Sequence, residues 1–469
     1  MRLANLVLLA MLASGSAGLG RSLWVEIDSA DPSADRALLE AADYDVAGTS
    51  DRAVGLIVDE PELECLRIEG WTAEVRGIGA PYREHAAPTD RLSPDLGYRT
   101  WAEVQSDLAA LELIRPDLAQ VVDLMAALSI PATAEGRHLL ALKISDHVEA
   151  EEDEPAIFVI ALHHARELNT IEAAFDTAEE LITLYDADPR IANWVDQYET
   201  WVVPVVNPDG LEYVWNVDSH WRKNRRNNGL GSYGVDLNRN YPFLWGACGN
   251  VSATPDSPVF RGPNPASEPE VQAMIALAEA EQPLVVISYH SYGREVLYPY
   301  VCATMAEPVK IGAGRNVYAS AAGYRARYAS ASGEDFEWHY NSRNSMAYLI
   351  EIGYGFQPPF QETMDEIEQR VRPAWRAVFG RLARAPGILG HVRDQADGTP
   401  IAAEIEIAEI PFEEDEALGS ETRHGRFHVV LPPGSYTLTF SAAGYQPETF
   451  PVIVGRGWSD LPVWLHELP

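Results

Sequence analysis

The middle of the chain is organised by apolar runs that alternate with longer, helix-like segments. One clear run, Ala156 to Leu162, contains no polar residue, as a strand buried on both faces of a parallel sheet would. Similar runs predict strands over residues 138–144, 200–206, 283–289 and 346–350. Strands and helices alternate over residues 92–385, which predicts an α/β domain built on a doubly wound, mixed sheet with a parallel core.

Capping patterns predict where several helices begin. Asn169 with Glu172, and Ser267 with Glu270, have the spacing of a capping box, in which each side chain caps the backbone of the other residue. The two patterns predict helices that run from these positions to Tyr185 and Ala280. Apolar spacing predicts further helices over residues 101–113, 315–328 and 364–384.

Two smaller units flank the α/β domain. Residues 20–78 show the order strand, helix, strand, strand, helix, strand, which is the split βαβ arrangement of a small α+β fold. Residues 79–91 are rich in Pro and Ala and predict a linker in which Arg83 is exposed. Short alternating runs between Gly and Pro residues predict an antiparallel β-sandwich over residues 387–469.

The start of the chain and its cysteines indicate export. Residues 1–17 hold one basic residue, an apolar run and then small residues, as a secretory signal peptide does, and no other stretch is long enough to span a bilayer. We therefore expect a secreted protein, extracellular or periplasmic. Export permits a disulfide, and Cys248 with Cys302 is the favoured pair because both fall in predicted loops of one domain; Cys65 is predicted to be a buried free thiol.

The charge of the chain limits its partners. Its 469 residues carry a formal net charge of −35, and acidic residues number 70 against 35 basic ones. Such an excess argues against nucleic acids and anionic membrane surfaces as partners.

Polar groups suited to chemistry stand where four predicted strands end. They are His164 with Glu167, Asn207 with Asp209, His290, and Glu351. Because parallel strands end along one edge of a sheet, these groups can converge on one site. Two histidines and one glutamate form the ligand set of a catalytic zinc ion, with a position left for water. The remaining carboxylate, Glu351, can then accept a proton from that water.

The tract between the second and third of these strands is basic in an otherwise acidic chain. Its cations lie mainly in residues 221–226 and 238–240. One interpretation is a surface loop that pairs with acidic residues. The interpretation that we favour is a substrate-binding tract, in which one arginine binds a carboxylate through two hydrogen bonds and another stabilises an oxyanion beside zinc.

Taken in order, these motifs resemble the carboxypeptidase A-like (M14) family of zinc carboxypeptidases. The resemblance covers about residues 92–385 and rests on segments 164–167, 207–210, 221–223, 236–240, 267–270 and 290–292, followed by Glu351. It implies one zinc ion per chain, held by His164, Glu167 and His290. It implies that Glu351 is the general base and that Arg222 polarises the scissile carbonyl. It also implies that Asn238 and Arg239 bind the free terminal carboxylate of a peptide or protein.

The same resemblance implies roles for residues near the substrate side chain. The family has a capping tyrosine on a mobile loop, for which Tyr328 is the candidate, one residue away from the family spacing. Phe336 falls at the position that sets side-chain preference. A phenylalanine there implies apolar C-terminal residues, whereas the neighbouring Glu334, Asp335 and Glu337 favour Lys or Arg. Both preferences stay open.

The flanking units also resemble parts of this family. The split βαβ unit is similar to the family's propeptide, which lies over the active-site cleft and implies a zymogen. The C-terminal sandwich resembles the transthyretin-like domain of the family's regulatory branch. That branch usually carries another residue at the position of Arg166, between the metal ligands, so this chain mixes features of different branches.

Three functions are compatible with these features. The first is an exported zinc metallocarboxypeptidase, a hydrolase that removes single C-terminal residues. The second is an amidase-type relative that uses the same zinc set on a small acyl-amino acid or a cell-wall peptide. The third is a non-catalytic binding protein in which the sandwich is the functional part. Asn238 and Arg239, together with a capping tyrosine, favour the first over the second, and an intact Glu351 and metal set argue against the third.

Overall fold

The protein is described here from a computed structural model. It describes residues 21–49, 52–85, 97–150, 152–302, 317–382, 384–410, 412, 416 and 418–468. The predicted signal peptide and residues 86–91 of the predicted linker lie outside the described residues. Among the helices in the described residues, none is long and apolar enough to cross a membrane.

The N-terminal unit has the βαββαβ order that the sequence pattern predicts. Its elements are β1 (Leu23–Asp28), a helix (Pro32–Ala41), β2 (Asp45–Thr49), β3 (Ala53–Val58), a helix (Glu60–Ile68) and β4 (Ala73–Ile78). The strands form one antiparallel sheet in the order β2-β3-β1-β4, above a small core of its own. A short helix, Tyr82–His85, occupies part of the predicted linker, where Arg83 is exposed and its Nη1 donates to Asn216 Oδ1 over 3.1 Å.

The predicted α/β domain is built on one mixed sheet of eight strands. They are β5 (Ala119–Asp123), β6 (Leu140–Ile144), β7 (Ala156–Ala161), β8 (Glu199–Val203), β11 (Val285–His290), β12 (Glu295–Tyr298), β13 (Arg325–Tyr328) and β14 (Met346–Glu351), with a separate small hairpin of β9 (Asn227–Gly229) and β10 (Ser232–Tyr233). Their order is β13-β12-β14-β11-β7-β8-β6-β5. The central strands β14, β11, β7 and β8 run parallel, which confirms the parallel-core mixed sheet.

Helices cover this sheet and bury its faces. They are Trp101–Ile114, Leu124–Ala127, Asn169–Thr183, Pro189–Val195, Pro208–Asn216, Pro269–Glu281, 317–322, Asp335–Arg343, Phe360–Glu366 and Arg372–Leu382, with a 3₁₀ turn at Leu237–Arg239 and a π turn at Ile367–Val371. Every side chain of β7 and β11 is buried, as a strand covered on both faces requires.

Both predicted capping boxes are wrong, although both helices exist. The Asn169 side chain donates to Gly355 O over 3.0 Å, and the Glu172 carboxylate accepts from the backbone and side chain of Arg99. At the other helix, the Glu270 carboxylate accepts from Asn224 Nδ2 over 3.2 Å. Each acidic side chain is buried and binds a partner distant in sequence, so it is not available to cap its own helix.

The predicted helix over residues 315–328 is also partly wrong. Residues 317–322 are helical, but Arg325–Tyr328 form strand β13 at the edge of the large sheet. The strand forms because it pairs in parallel with β12, which brings Tyr298 beside Tyr328.

The C-terminal residues form two facing sheets around a separate core. The strands are β15 (Gly387–Asp394), β16 (Glu404–Ile407), β17 (Arg426–Val430), β18 (Gly434–Ser441), β19 (Glu448–Val454), β20 (Trp458–Asp460) and β21 (Val463–Leu465). The pairs β15·β17, β16·β18 and β18·β19 are antiparallel. The sheets are mainly antiparallel, as the sequence predicts, although β20 and β21 return beside β15 and run parallel to it.

The cysteines have the predicted arrangement in part. Cys248 and Cys302 form a disulfide, with their Cα atoms 5.9 Å apart. Cys65 is a free thiol, as expected, but it is only partly buried.

Candidate active site

Three adjacent strands end at one edge of the large sheet and carry the candidate chemistry there. His290 and Glu351 are the last residues of β11 and β14 and lie opposite each other in the parallel ladder. Strand β7 ends at Ala161, after which Leu162 takes a left-handed backbone conformation with a φ of 57°. This turn brings His164 to the same edge, as the carboxyl ends of neighbouring parallel strands allow.

The three predicted metal ligands face one point in the interior. His164 Nδ1 lies 2.7 Å from Glu167 Oε1, and His290 Nδ1 lies 3.1 Å from His164 Nδ1 and 3.2 Å from Glu167 Oε2. All three side chains are buried, and their ligand atoms lie within 4.8 Å of one another. Two imidazoles and one carboxylate that converge in this way fit a catalytic zinc ion, and they leave one coordination position open.

Asp236 joins the metal set to a candidate catalytic arginine. Its Oδ1 lies 3.1 Å from His164 Nε2, and its Oδ2 accepts from Arg222 Nη2 over 2.9 Å. Burial alone would raise the pKa of this carboxyl, but the charges of Arg222 and His164 hold it well below its usual range. A carboxylate behind a metal-bound histidine fixes the ring and its tautomer.

Glu351 stands beside the metal set with a free carboxylate oxygen. Its Oε2 is shielded from solvent and accepts no hydrogen bond from the residues that the structure describes. Burial, followed by the neighbouring Glu167 charge, raises the pKa of Glu351 above its ordinary value. A carboxylate with these properties is suited to accept a proton.

Arg239 and Asn238 line the same cavity as the metal set. Arg239 Nε donates to Asn250 O over 2.7 Å and its Nη1 to Asn238 O over 2.6 Å, so the guanidinium is fixed. Asn238 Oδ1 accepts from the backbone N–H of Asp335 over 2.9 Å, which leaves the Asn238 Nδ2 group as a donor. The arrangement provides fixed donors for a carboxylate.

A family model of known proteins matches the part of the chain that builds this site. The model is described as zinc carboxypeptidase (peptidase M14), and it matches residues 116–377. The chain belongs to the zinc carboxypeptidase family.

Individual members of the family align with part of this carboxypeptidase-family chain. A zinc carboxypeptidase of Saccharothrix mutabilis subsp. capreolus is 28% identical over 296 residues, which cover 59% of this chain and 65% of that protein. Carboxypeptidase A2 of Rattus norvegicus is 32% identical over 205 residues, covering 43% of this chain and 46% of the relative. The chain thus spans less than two thirds of the length of these two relatives.

Another relative shows why the site residues matter. An inactive metallocarboxypeptidase of Paracoccidioides lutzii is 27% identical over 343 residues, covering 61% of this chain and 57% of that protein. Family membership alone therefore does not decide activity, and the side chains at the site must do so.

Solved structures confirm the carboxypeptidase fold. The carboxypeptidase A of Helicoverpa armigera superposes with a TM-score of 0.63 at 18% identity, over 77% of this chain and 98% of that one. The thrombin-activatable fibrinolysis inhibitor gives a TM-score of 0.63 at 19% identity, over 77% and 99%. The family implies one catalytic zinc ion, and the buried His164, Glu167 and His290 fit it.

Two of the predicted substrate residues of this carboxypeptidase-family protein do not face the cavity. Tyr328 is 56% exposed, and its ring packs 4.3 Å from that of Tyr298. Phe336 is fully buried and, like Tyr328, is not among the described residues that line the cavity, whereas Glu334 and Arg327 are. Side chains of a strand alternate between its faces, so with Arg327 at the cavity its neighbour Tyr328 turns away.

Two residues of the site, Asp236 and Asp45, have no role in the predictions from sequence. Asp236 was part of a recognised motif, but its contact with His164 joins residues 72 positions apart. Asp45 of the N-terminal unit lies in the cavity wall and binds Arg166 through both carboxylate oxygens, at 2.5 and 2.8 Å. Nothing in a single sequence signals either contact, because both depend on how distant segments meet.

Proposed function

We propose that this chain is a zinc metallocarboxypeptidase that hydrolyses the C-terminal bond of peptides or proteins. One observation supports the proposal above the others. The cavity that holds His164, Glu167, His290 and the free Glu351 also presents Arg239 and Asn238 as fixed carboxylate donors. A metal set with a base hydrolyses an amide, and a carboxylate site beside it selects the end of a chain.

In the proposed mechanism each side chain has one role. Zinc, when bound to His164, Glu167 and His290, supplies Lewis acidity for the attacking water and the scissile carbonyl. Glu351 accepts the proton of the attacking water and returns it to the leaving amine.

Two arginines bind different groups of the substrate, the scissile carbonyl and the terminal carboxylate. Arg222, held by Asp236, stabilises the negative charge that develops on the carbonyl oxygen. Arg239 and Asn238 bind the terminal carboxylate and so determine which peptide bond lies beside Glu351. Glu334, which favours a basic C-terminal residue, lines the cavity, whereas Phe336, which implied an apolar one, does not. A substrate panel with both basic and apolar C-terminal residues tests which preference holds.

Metal removal tests the proposal. We expect about one zinc ion per chain, loss of hydrolysis of C-terminally free peptides on treatment with a chelator, and recovery on adding zinc. His290→Asn should lose zinc and activity, whereas His466→Asn, which removes an imidazole in the C-terminal sandwich, should keep both. Active protein that contains no transition metal would contradict the metal site.

The N-terminal unit is proposed to be an inhibitory pro-segment. Arg166 is fully buried beneath Asp45, and a Cβ atom at Gly48 of β2 would lie 2.4 Å from the Tyr292 ring of the site. Residues of the unit, Asp45 and Gly48 among them, therefore form part of the cavity wall. The predicted signal peptide and the Cys248–Cys302 disulfide both support the proposal that the protein is exported.

Removal of this unit tests the pro-segment proposal. Cleavage within residues 79–91, followed by separation of the fragments, should raise kcat/KM on peptides by roughly 10-fold or more. In the intact chain the buried ion pair of Arg166 with Asp45 must break before a substrate can bind. Asp45→Ala should activate the uncleaved chain in part. Asp35→Ala, on the helix of the same unit and outside the cavity wall, is the matched control. Equal rates for intact and cleaved protein would refute inhibition.

A further inference from the structure

A group of buried polar side chains behind the metal set has no role in the proposed mechanism. His163, Asp335 and His339 are all completely buried. They come from the turn after β7 and from the helix Asp335–Arg343, so the fold brings them together. Burying three titratable side chains in one place is costly unless they support one another or a neighbouring charge.

Asp335 is the carboxylate of this group, and its position is fixed. Its backbone N–H donates to Asn238 Oδ1 over 2.9 Å, which ties the start of its helix to the carboxylate-binding residues. Neither carboxylate oxygen accepts a well-formed hydrogen bond from the described residues, although the Ser288 hydroxyl lies close by. A buried carboxylate without such bonds needs a positive partner.

The imidazoles around Asp335 lead to a metal ligand. His163 Nε2 lies 3.8 Å from Asp335 Oδ2 and 3.1 Å from the Tyr241 hydroxyl. The His163 ring stacks on the ring of His290, with 5.3 Å between centroids and 15° between planes. The His163 ring therefore lies against both the Asp335 carboxylate and the His290 ring.

His290 itself needs support on the side away from the metal. Its Nδ1 faces His164 and Glu167, whereas its Nε2 is buried and has no hydrogen-bond partner among the described residues. His164 differs, because its Nε2 has Asp236 behind it at 3.1 Å. Metal-bound histidines gain basicity and a fixed ring orientation from carboxylates placed behind them.

We infer that Asp335 is a positioning residue for the metal ligand His290, with the stacked His163 ring as its support. The inference rests on the proposed zinc site. Asp236 then supports the ring of His164 directly, whereas Asp335 supports the ring of His290 through the stacked His163 ring. The positive charge that a bound cation induces on His290 supplies the partner that the Asp335 carboxylate otherwise lacks.

Zinc affinity tests this inference without using activity. The full-length chain is equilibrated with zinc and a chelator of known affinity, and bound zinc is measured. Asp335→Asn keeps the shape of the side chain and removes its charge, so zinc binding should weaken by roughly 10- to 100-fold. Glu337→Gln is the matched control, because this carboxylate is equally buried on the same helix but accepts from Val301 N–H. It should change zinc affinity little.

A spectroscopic measurement separates positioning from folding. With cobalt in place of zinc, Asp335→Asn should change the visible absorption of the metal, whereas Glu337→Gln should not. If Asp335→Asn fails to fold, Asp335→Ser removes the charge with a smaller side chain, and the same two measurements apply. Wild-type affinity and an unchanged cobalt spectrum in a folded Asp335 variant would overturn the inference. Absence of zinc binding by the wild-type chain would instead refute the proposed function.

Discussion

Replacing Glu351 with glutamine is expected to lower kcat by roughly 10²- to 10⁴-fold while zinc stays bound. Glutamine keeps the shape of the side chain but cannot accept the proton of the attacking water. The Glu351 Oε2 atom, at the end of β14, is a free acceptor, because it accepts no hydrogen bond from the residues described by the structure. Glu167, the other carboxylate beside it, already faces both histidines.

The comparison needs a variant that removes a buried carboxylate elsewhere. Glu366→Gln serves, because Glu366 is buried, accepts from Arg294 Nε over 3.0 Å and lies outside the cavity wall. Steady-state kinetics and zinc content are measured for both variants. Near-normal turnover of Glu351→Gln with full zinc content would remove Glu351 from the mechanism. Loss of zinc would mean that it acts on the metal set instead.

Arg239→Ala should lower kcat/KM for peptides with a free C-terminal carboxylate by roughly 10²-fold or more, since a charge-assisted bond contributes about 1.5–3 kcal/mol and a paired one more. In the unaltered chain, Arg239 Nη2 makes no hydrogen bond to any described residue, so this nitrogen and Asn238 Nδ2 are available to bind the substrate carboxylate. Peptides amidated at the C-terminus, which lack the anion, should lose much less.

The same change leaves a buried acid unpaired, so a second variant is required. Arg239 Nη1 lies 3.2 Å from Glu334 Oε1, and Arg239→Ala removes this partner. The double variant Arg239→Ala/Glu334→Gln isolates the lost carboxylate binding, and Arg226→Ala, which removes an arginine paired with Glu268, is the control. Equal proportional losses for acid and amide substrates would make Arg239 structural and would favour the amidase alternative.

The sequence predicted the site best where local pattern alone determines the structure. The apolar runs that become β7, β11 and β14 are buried, so their ends were visible as the change to His163 and His164, to His290 and to Glu351. The edge strand β13 was missed because the pattern around Arg325 and Tyr328 does not distinguish a helix from a strand. Pairing with β12 is what makes this segment a strand.

The remaining errors share one physical cause, which is competition from distant partners. Glu172 and Glu270 have the right spacing to cap helices, but Arg99 and Asn224 bind them. Asp45 and Asp236 acquire roles only where the N-terminal unit and the loops meet the sheet edge. Local propensity is a weak guide wherever such tertiary contacts are stronger.

The placement of His290 opposite Glu351 in one parallel ladder has a consequence for the reaction itself. Their separation is set by backbone hydrogen bonds between β11 and β14, and a shift of one residue would turn one of them to the other face of the sheet. Neither side chain has to travel when the substrate arrives. The free-energy cost of reorganising these groups is therefore met when the protein folds and does not recur in each turnover.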